Sequence, residues 1–334
     1  IAITGCNAFS TQDSIAAALA AEGIEVHAKH GCTKDEYFGF CRAVLATKPH
    51  LIIDDGCDLT VEAHKMGGGV LDNVIGGCEQ TTSGVIRAKN MTTAGALSFP
   101  LIATNDNKTK HLLDNYYGTG QSVWDGIMRA TVMFVPSKVA VVVGYGACGK
   151  GIALRAKGLG ARVVVTETHP FAALQAVYDG FVVMPIEDAA KEGDIFVTAT
   201  GSKHVISGAH MATMKDGAYL CNAGQFDYEL DHTGLRAMQV GESRYTRPNV
   251  EEITVRGGKV LNLLGGGNLV NLSCAEGHPA EVMSTSFMGQ VCNHICNHIC
   301  NHICNHPAEV MSTSFMGQVR RDRGLLMISA SFTY

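Results

Sequence analysis

Apolar positions along the chain follow two rhythms, alternation in short runs and a three-to-four spacing in longer ones. Residues 1–5 form a short apolar run. Ser10-Thr11-Gln12-Asp13 then reads as a capping box that predicts a helix to residue 21. Residues 23–28 alternate and predict a strand, 34–47 a helix, and Leu51-Ile52-Ile53 a buried strand running into Asp54-Asp55. This β-α-β-α-β order predicts one parallel sheet, whose ligands bind at the carboxyl ends of its strands. The stretch 67–84, rich in glycine and polar residues, reads as loop, 99–103 as a strand and 108–117 as polar and mixed. Helical spacing returns over 122–134 and is ended by Pro136.

A second α/β unit opens with Val139-Ala140-Val141-Val142-Val143. Further strands are predicted at 162–166, 181–184, 195–198 and 219–222, with helices between, over a span from about 121 to 275. The chain has 334 residues, and about 100–200 residues per domain gives two domains. The fold class is therefore α/β, with two doubly wound parallel-sheet (Rossmann-like) domains. Hydrophobic residues at 46% argue against disorder. A net charge of -5 supplies no field that would recruit nucleic acid or an acidic membrane. No apolar run reaches the roughly 18 residues of a membrane helix, and no secretory pattern is visible. The first residue, Ile1, suggests a processed or incomplete chain.

Residues 278–291 recur at 306–319, and Cys-Asn-His-Ile repeats between the copies. On a helix, period four would align Cys292, Cys296, Cys300 and Cys304 on one stripe, where zinc is conceivable. Neither copy has a known finger spacing, so the expectation is no metal. The remaining eight of the 12 cysteines show no paired spacing and predict reduced thiols in a cytoplasmic protein.

The strongest chemical signal is Gly144-Tyr145-Gly146-Ala147-Cys148-Gly149-Lys150-Gly151. It follows an apolar strand and opens a helix, and the next strand ends at Glu167, 18 residues beyond Gly149. That is the dinucleotide pattern in its βαβ context. Gly144 makes the tight turn, Gly146 admits the pyrophosphate to the backbone, and Gly149 lets helix and strand pack. The pyrophosphate rests on the helix N-terminus. Glu167 accepts the ribose hydroxyls and repels a 2′-phosphate, which selects NAD over NADP. Other features are ambiguous alone. Asp54-Asp55-Gly56 is equally a turn with one solvated carboxylate, Lys110 and Asp114 form an i,i+4 pair of a kind that is mostly solvated at the surface, and His278 before Pro279 is usually structural.

Asp54-Asp55-Gly56-Cys57-Asp58-Leu59-Thr60, Glu79-Gln80-Thr81-Thr82-Ser83-Gly84, Asn105-Asp106 through Lys110, Asp114-Asn115-Tyr116-Tyr117-Gly118, the Gly144 loop and Gly277-His278-Pro279 occur in one order. Together they resemble the S-adenosylhomocysteine hydrolase (adenosylhomocysteinase) family over roughly residues 1–291. Gly118-Thr119-Gly120-Gln121-Ser122 looks more like its prokaryotic members. The resemblance implies a metal-free reaction of the methyl cycle, run in the cytoplasm by a homo-oligomer, a tetramer in the family. S-adenosylhomocysteine is cleaved to adenosine and homocysteine by transient oxidation of the ribose 3′-hydroxyl with bound NAD. It also implies a substrate-binding domain over 1–120, an NAD-binding Rossmann domain over 121–275, a return hinge and helix over 276–291, and an aberrant tail over 292–334.

By the same resemblance Lys110 takes the 3′-hydroxyl proton, Asp114 orients Lys110 and holds the ribose, and Asn115 supports them beside the nicotinamide. Asp55 is the base near C4′, Gln80 meets a ribose hydroxyl, and His278 contacts substrate at a hinge. Thr81, Thr82, Ser83, Asn115, Thr200, Ala223, Gly224, Gln225 and Asn271 join the Gly144–Gly151 loop and Glu167 in holding NAD. The sequence departs from the family at Gln225, where a histidine is usual, and at Gln80, where a glutamate is usual. The family's N-terminal substrate segment is not found before Ile1, and nothing after Val291 matches its C-terminal tail. Two other readings stay open, a degenerate NAD-binding paralogue and a variant acting on S-inosylhomocysteine.

Overall fold

A computed structural model describes residues 1–9, 11–290 and the backbone of 310–312. Ser10, the proposed helix cap, and the Cys-Asn-His-Ile repeat lie outside the described residues. The chain divides into two compact units, one from Ile1–Phe40 with Lys108–Phe287 and one from Cys41–Asn107 with the residues from Met288 onward. At the start of the first unit, β1 (Ala2–Thr4) and β2 (Glu25–His27) pair in parallel. The helix between them is Asp13–Ala21, whose N-cap Gln12 makes no side-chain bond. Asp13 instead accepts the backbone N–H of His30 at 2.8 Å.

The second unit carries β3 (Leu51–Asp54), β4 (Gly76–Glu79) and β5 (Leu101–Ala103). With Val310–Ser312 they form a parallel sheet in which β5 pairs with that segment and β4 lies between β5 and β3. So β3 does not continue the β1–β2 sheet, against the single sheet expected from the rhythm of residues 1–54. Nor is 67–84 a loop. It contains the helix Gly68–Leu71, β4 and the start of the helix Thr82–Thr93. Gly76-Gly77-Cys78-Glu79 has almost no strand propensity, yet all four residues are buried. A Cβ on Gly77 would lie 3.0 Å from the Ile52 carbonyl. Sheet packing demands the small residues that hid the strand from sequence reasoning.

In the first unit, eight strands follow: β6 (Val139–Val143), β7 (Arg162–Thr166), β8 (Val182–Val183), β9 (Ile195–Thr198), β10 (Ala218–Asn222), β11 (Arg244–Arg247), β12 (Val250–Thr254) and β13 (Val260–Leu264). Their order is β11-β12-β13-β10-β9-β6-β7-β8. The run from β13 to β8 is parallel, with β12 and β11 antiparallel at one edge. Strand order reverses between β6 and β9, the switch point of a doubly wound sheet, where ligands bind.

Helices cover both faces, so β6 is apolar at every position. Ala140 and Val142 join one core with Trp124, Ile127 and Ile152, while Val141 and Val143 join another with Phe196 and Leu220. The strands β11 to β13 were not foreseen from sequence. The expected 122–134 helix runs over Thr119–Thr131 and is ended by Val132 in a left-handed conformation, φ 52°, ahead of Pro136. Another helix occupies 280–290. Among the described residues no helix is long and apolar enough to cross a membrane.

Candidate active site

At the end of β6 the chain turns on Gly144, φ 98°, whose N–H donates to the Thr166 carbonyl at 2.8 Å. A Cβ there would lie 2.8 Å from the Ala199 carbonyl, across the switch point at the end of β9. The helix Ala147–Gly158 follows. On Gly149 a Cβ would stand 2.0 Å from the Gly144 carbonyl, whereas on Gly146 it would meet nothing within 4 Å. The turn is thus closed beneath by Gly149 and open above at Gly146, beside the free N–H groups and positive dipole end of the helix. Beyond β7, Glu167 accepts the N–H of Tyr145 at 2.7 Å, of Thr168 at 2.7 Å and of His169 at 2.8 Å. Its carboxylate is fixed at the strand tip.

Other expected residues of this loop divide by role. The Lys150 ammonium reaches Gln175 at 2.6 Å. On Gly151 a Cβ would lie 1.8 Å from the Tyr116 carbonyl, making it a packing glycine. The Cys148 thiol lies 3.8 Å from the Thr119 hydroxyl and is pushed up by burial, while the nearby Lys110 charge opposes that rise.

At the ends of β9 and β10 a buried residue that sequence reasoning missed organises the loops. Glu229 accepts the Thr200 N–H and hydroxyl, both at 2.9 Å, and the Gly201 N–H at 2.6 Å. Burial pushes its carboxyl up, and those donors pull it back. A Cβ on Gly224 would fall 1.7 Å from a Glu229 oxygen, so Gly224 makes room for it. Asn222 accepts from Thr198 and Gly224 and donates to the carbonyls of Gly224, Phe226 and Gly267. Ala223 is buried and Gln225 half-buried in the same turn. Asn271 donates to the Ser122 hydroxyl at 3.1 Å, while its Oδ1 is buried with no hydrogen-bond partner. A buried acceptor of this kind is costly unless something donates to it, and a primary carboxamide such as that of nicotinamide suits it.

The segment read as polar and mixed is a π-helix, His111–Gly118. Wider winding stacks residues four and five apart, a local form frequent at functional sites. Lys110 therefore reaches both Asn115 Oδ1 at 2.7 Å and Asp114 Oδ1 at 3.6 Å. Both members of the Lys110–Asp114 pair are buried, with side chains 7% and 9% exposed, so it is not a solvated pair. His278 Nε2 lies 3.1 Å from Asp114 Oδ1, and Ser286 donates to Asp114 Oδ2 at 2.9 Å. Burial alone would raise the Asp114 carboxyl. The His278 hydrogen bond and the Lys110 charge reverse that and hold it at about 2.

In the second unit, β3 ends in a sharp turn with Gly56 at φ 106° and Cys57 at φ 66°. Asp54 is buried and caps the next helix, accepting the N–H groups of Asp55, Leu59 and Thr60. Asp55 is half-buried beside it. Glu79 is fully buried and accepts from Gly56 at 3.0 Å and Thr81 at 2.8 Å, while its Oε2 has no hydrogen-bond partner. Burial, then the charges of Asp54 and Asp55, push the Glu79 carboxyl far above the usual range. Gln80 Oε1 and Ser83 Oγ are buried without hydrogen-bond partners, and Thr82 accepts from Asn105 at 3.0 Å. Ligand oxygens of Asp54 and Glu79 lie within 4.8 Å of the Cys57 sulfur, a grouping not foreseen. Burial pushes that thiol up to about 12.

A glycine turn open to an anion at the switch point, with a carboxylate at the tip of the neighbouring strand, defines a dinucleotide-binding Rossmann enzyme. The family model described as S-adenosyl-L-homocysteine hydrolase, NAD binding domain, matches residues 115–277, and the model described as S-adenosyl-L-homocysteine hydrolase matches residues 1–68. An S-inosyl-L-homocysteine hydrolase of Methanocaldococcus jannaschii is 53% identical over 290 residues, 87% of this chain and 69% of that protein. Adenosylhomocysteinases of Sulfolobus acidocaldarius and Pyrobaculum aerophilum are 51% and 49% identical, over 87% and 85% of this chain and 69% and 70% of theirs. The chain belongs to the S-adenosyl-L-homocysteine hydrolase family, with NAD as its dinucleotide. These archaeal relatives agree with the prokaryotic character expected from residues 118–122. Among solved structures, a glyoxylate reductase from Paecilomyes thermophila is 12% identical over 92% of this chain and 96% of its own, with a TM-score of 0.49.

Proposed function

We propose that this chain hydrolyses S-adenosyl-L-homocysteine to adenosine and L-homocysteine by transient oxidation of the ribose 3′-hydroxyl. The Gly144 loop, Glu167 and Asn271 would hold NAD, which would supply reversible hydride-transfer chemistry at the ribose 3′ carbon. Lys110 takes the proton of the 3′-hydroxyl, with Asn115 and Asp114 fixing its side-chain nitrogen. Asp114 and His278 hold the ribose. The 3′-ketone acidifies the C4′ hydrogen, and Asp55 removes it as the C5′–S bond breaks and homocysteine leaves. Water then adds at C5′. The Gln80 amide meets a ribose hydroxyl, and the Thr81-Thr82-Ser83 hydroxyls with Thr200, Ala223, Gly224 and Gln225 complete the cofactor contacts. Residues 1–120 serve the substrate and 121–275 NAD, in a cytoplasmic homo-tetramer.

The observation that carries this reading is the buried Lys110–Asp114–Asn115–His278 cluster, joined through Ser122 to Asn271. Incubation with S-adenosyl-L-homocysteine, followed by thiol assay, should release homocysteine, and denaturation should release NAD. No homocysteine and no nicotinamide reduction from an NAD-loaded chain would overturn it. The similarity to an S-inosyl-L-homocysteine hydrolase favours a second reading in which hypoxanthine replaces adenine. A larger kcat/KM for the inosyl substrate in the same assay would select it.

A further inference from the structure

Four side chains from two distant stretches of the sequence form one hydrogen-bonded chain ending at Asp114. Asn271 Nδ2 donates to Ser122 Oγ at 3.1 Å. Ser122 Oγ lies 3.1 Å from His278 Nδ1, and His278 Nε2 lies 3.1 Å from Asp114 Oδ1. Ser286 donates to the other oxygen of Asp114 at 2.9 Å. A serine hydroxyl has one proton and two lone pairs. The Asn271 amide fills one of the two Ser122 lone pairs, and the Asp114 carboxylate, which only accepts, requires a proton on the His278 nitrogen that faces it, so the Ser122 hydroxyl donates to Nδ1. The imidazole proton sits on Nε2, where it donates to the Asp114 carboxylate, and the Ser122 hydroxyl proton on the other side keeps Nδ1 bare. Which nitrogen of a histidine carries the proton is set by the bond the other nitrogen makes.

We propose that Ser122 is a positioning residue that holds His278 as its Nε2–H tautomer, so that His278 and Ser286 together fix the Asp114 carboxylate against Lys110. Ser122 is 2% exposed and Ser286 fully buried, so water does not replace either hydroxyl. With the opposite tautomer, the bare Nε2 lone pair would face the carboxylate and Asp114 would turn away from Lys110. The effect on rate rests on the proposed role of Lys110 and Asp114; the tautomer itself does not.

The test uses NAD-loaded protein with 15N-labelled histidine, examined by solid-state NMR. The His278 signals are assigned by their loss in His278→Gln. The expected result is an unprotonated Nδ1 and a protonated Nε2 in the parent chain. Ser122→Ala should lose that preference, and Ser122→Thr, which keeps the hydroxyl, should restore it. Nicotinamide reduction by an adenosine-type ligand should fall about fivefold or more in Ser122→Ala, the scale of one lost hydrogen bond, and recover in Ser122→Thr. A protonated Nδ1 in the parent, or an unchanged tautomer in Ser122→Ala, overturns the proposal. Since the spectrum reports the tautomer whatever Lys110 does, its failure is read separately from failure of the hydrolase reading.

Discussion

Replacing Asp114 by asparagine keeps the side chain's shape and removes its charge. In the folded chain the carboxyl sits at about 2 against an ordinary 3.8. The difference, at 1.36 kcal/mol per pH unit, corresponds to about 2 kcal/mol of stabilisation at neutral pH. The folded value is depressed, so this contribution is complete above the ordinary carboxyl value and is lost as pH falls toward 2. Roughly half should already be gone at pH 3. Asp114→Asn should therefore be about 2 kcal/mol less stable than the parent in urea unfolding at pH 7. By pH 3 the gap should narrow by about 1 kcal/mol. Nicotinamide reduction should fall by about a hundredfold or more, because the asparagine no longer pairs with Lys110 or accepts fully from His278 and Ser286. A gap that is the same at both pH values, or below about 0.5 kcal/mol at pH 7, would refute the claim that Asp114 is held as a buried, paired carboxylate.

Four further variants have expected outcomes. Gly146→Ala should leave the thermal midpoint nearly unchanged while lowering NAD affinity, because a Cβ there meets open space in the protein. Gly149→Ala should lower both, by about 1–3 kcal/mol in stability, and equal melting of the two variants would count against the turn geometry. Glu79→Gln should flatten the pH dependence of stability. The raised Glu79 carboxyl stays protonated in the fold while the unfolded chain ionises, so the parent loses stability as pH rises from about 5 to 8; a variant as steep as the parent in urea unfolding would contradict this. Gln225→His should raise homocysteine release by about 10²–10⁴-fold if a titratable group at this position relays protons to or from the added water. Full turnover with Gln225 in place would show that another group serves.

Local chemistry was legible in the sequence by itself. The run 139–143 followed by Gly144-x-Gly146-x-x-Gly149 was readable because strand, turn and helix cap are set by neighbouring residues, and the strands at 139–143, 162–166 and 195–198 stand where their apolar runs place them. Motif order likewise carried the family. What the sequence concealed depends on contacts between distant segments. The strand Gly76–Glu79 looks like loop because its small residues answer to Ile52 and Phe99 across the sheet. Lys110 and Asp114 have the spacing of an ordinary surface pair, and only π-winding and burial bring them against Asn115 and His278. Glu229 reads as one acid among several in a turn until the fold buries it against Thr200 and Gly201. Ser122 and His278 lie 156 positions apart. Their hydrogen bond has no signature along the chain, because tertiary packing alone decides which buried polar groups meet.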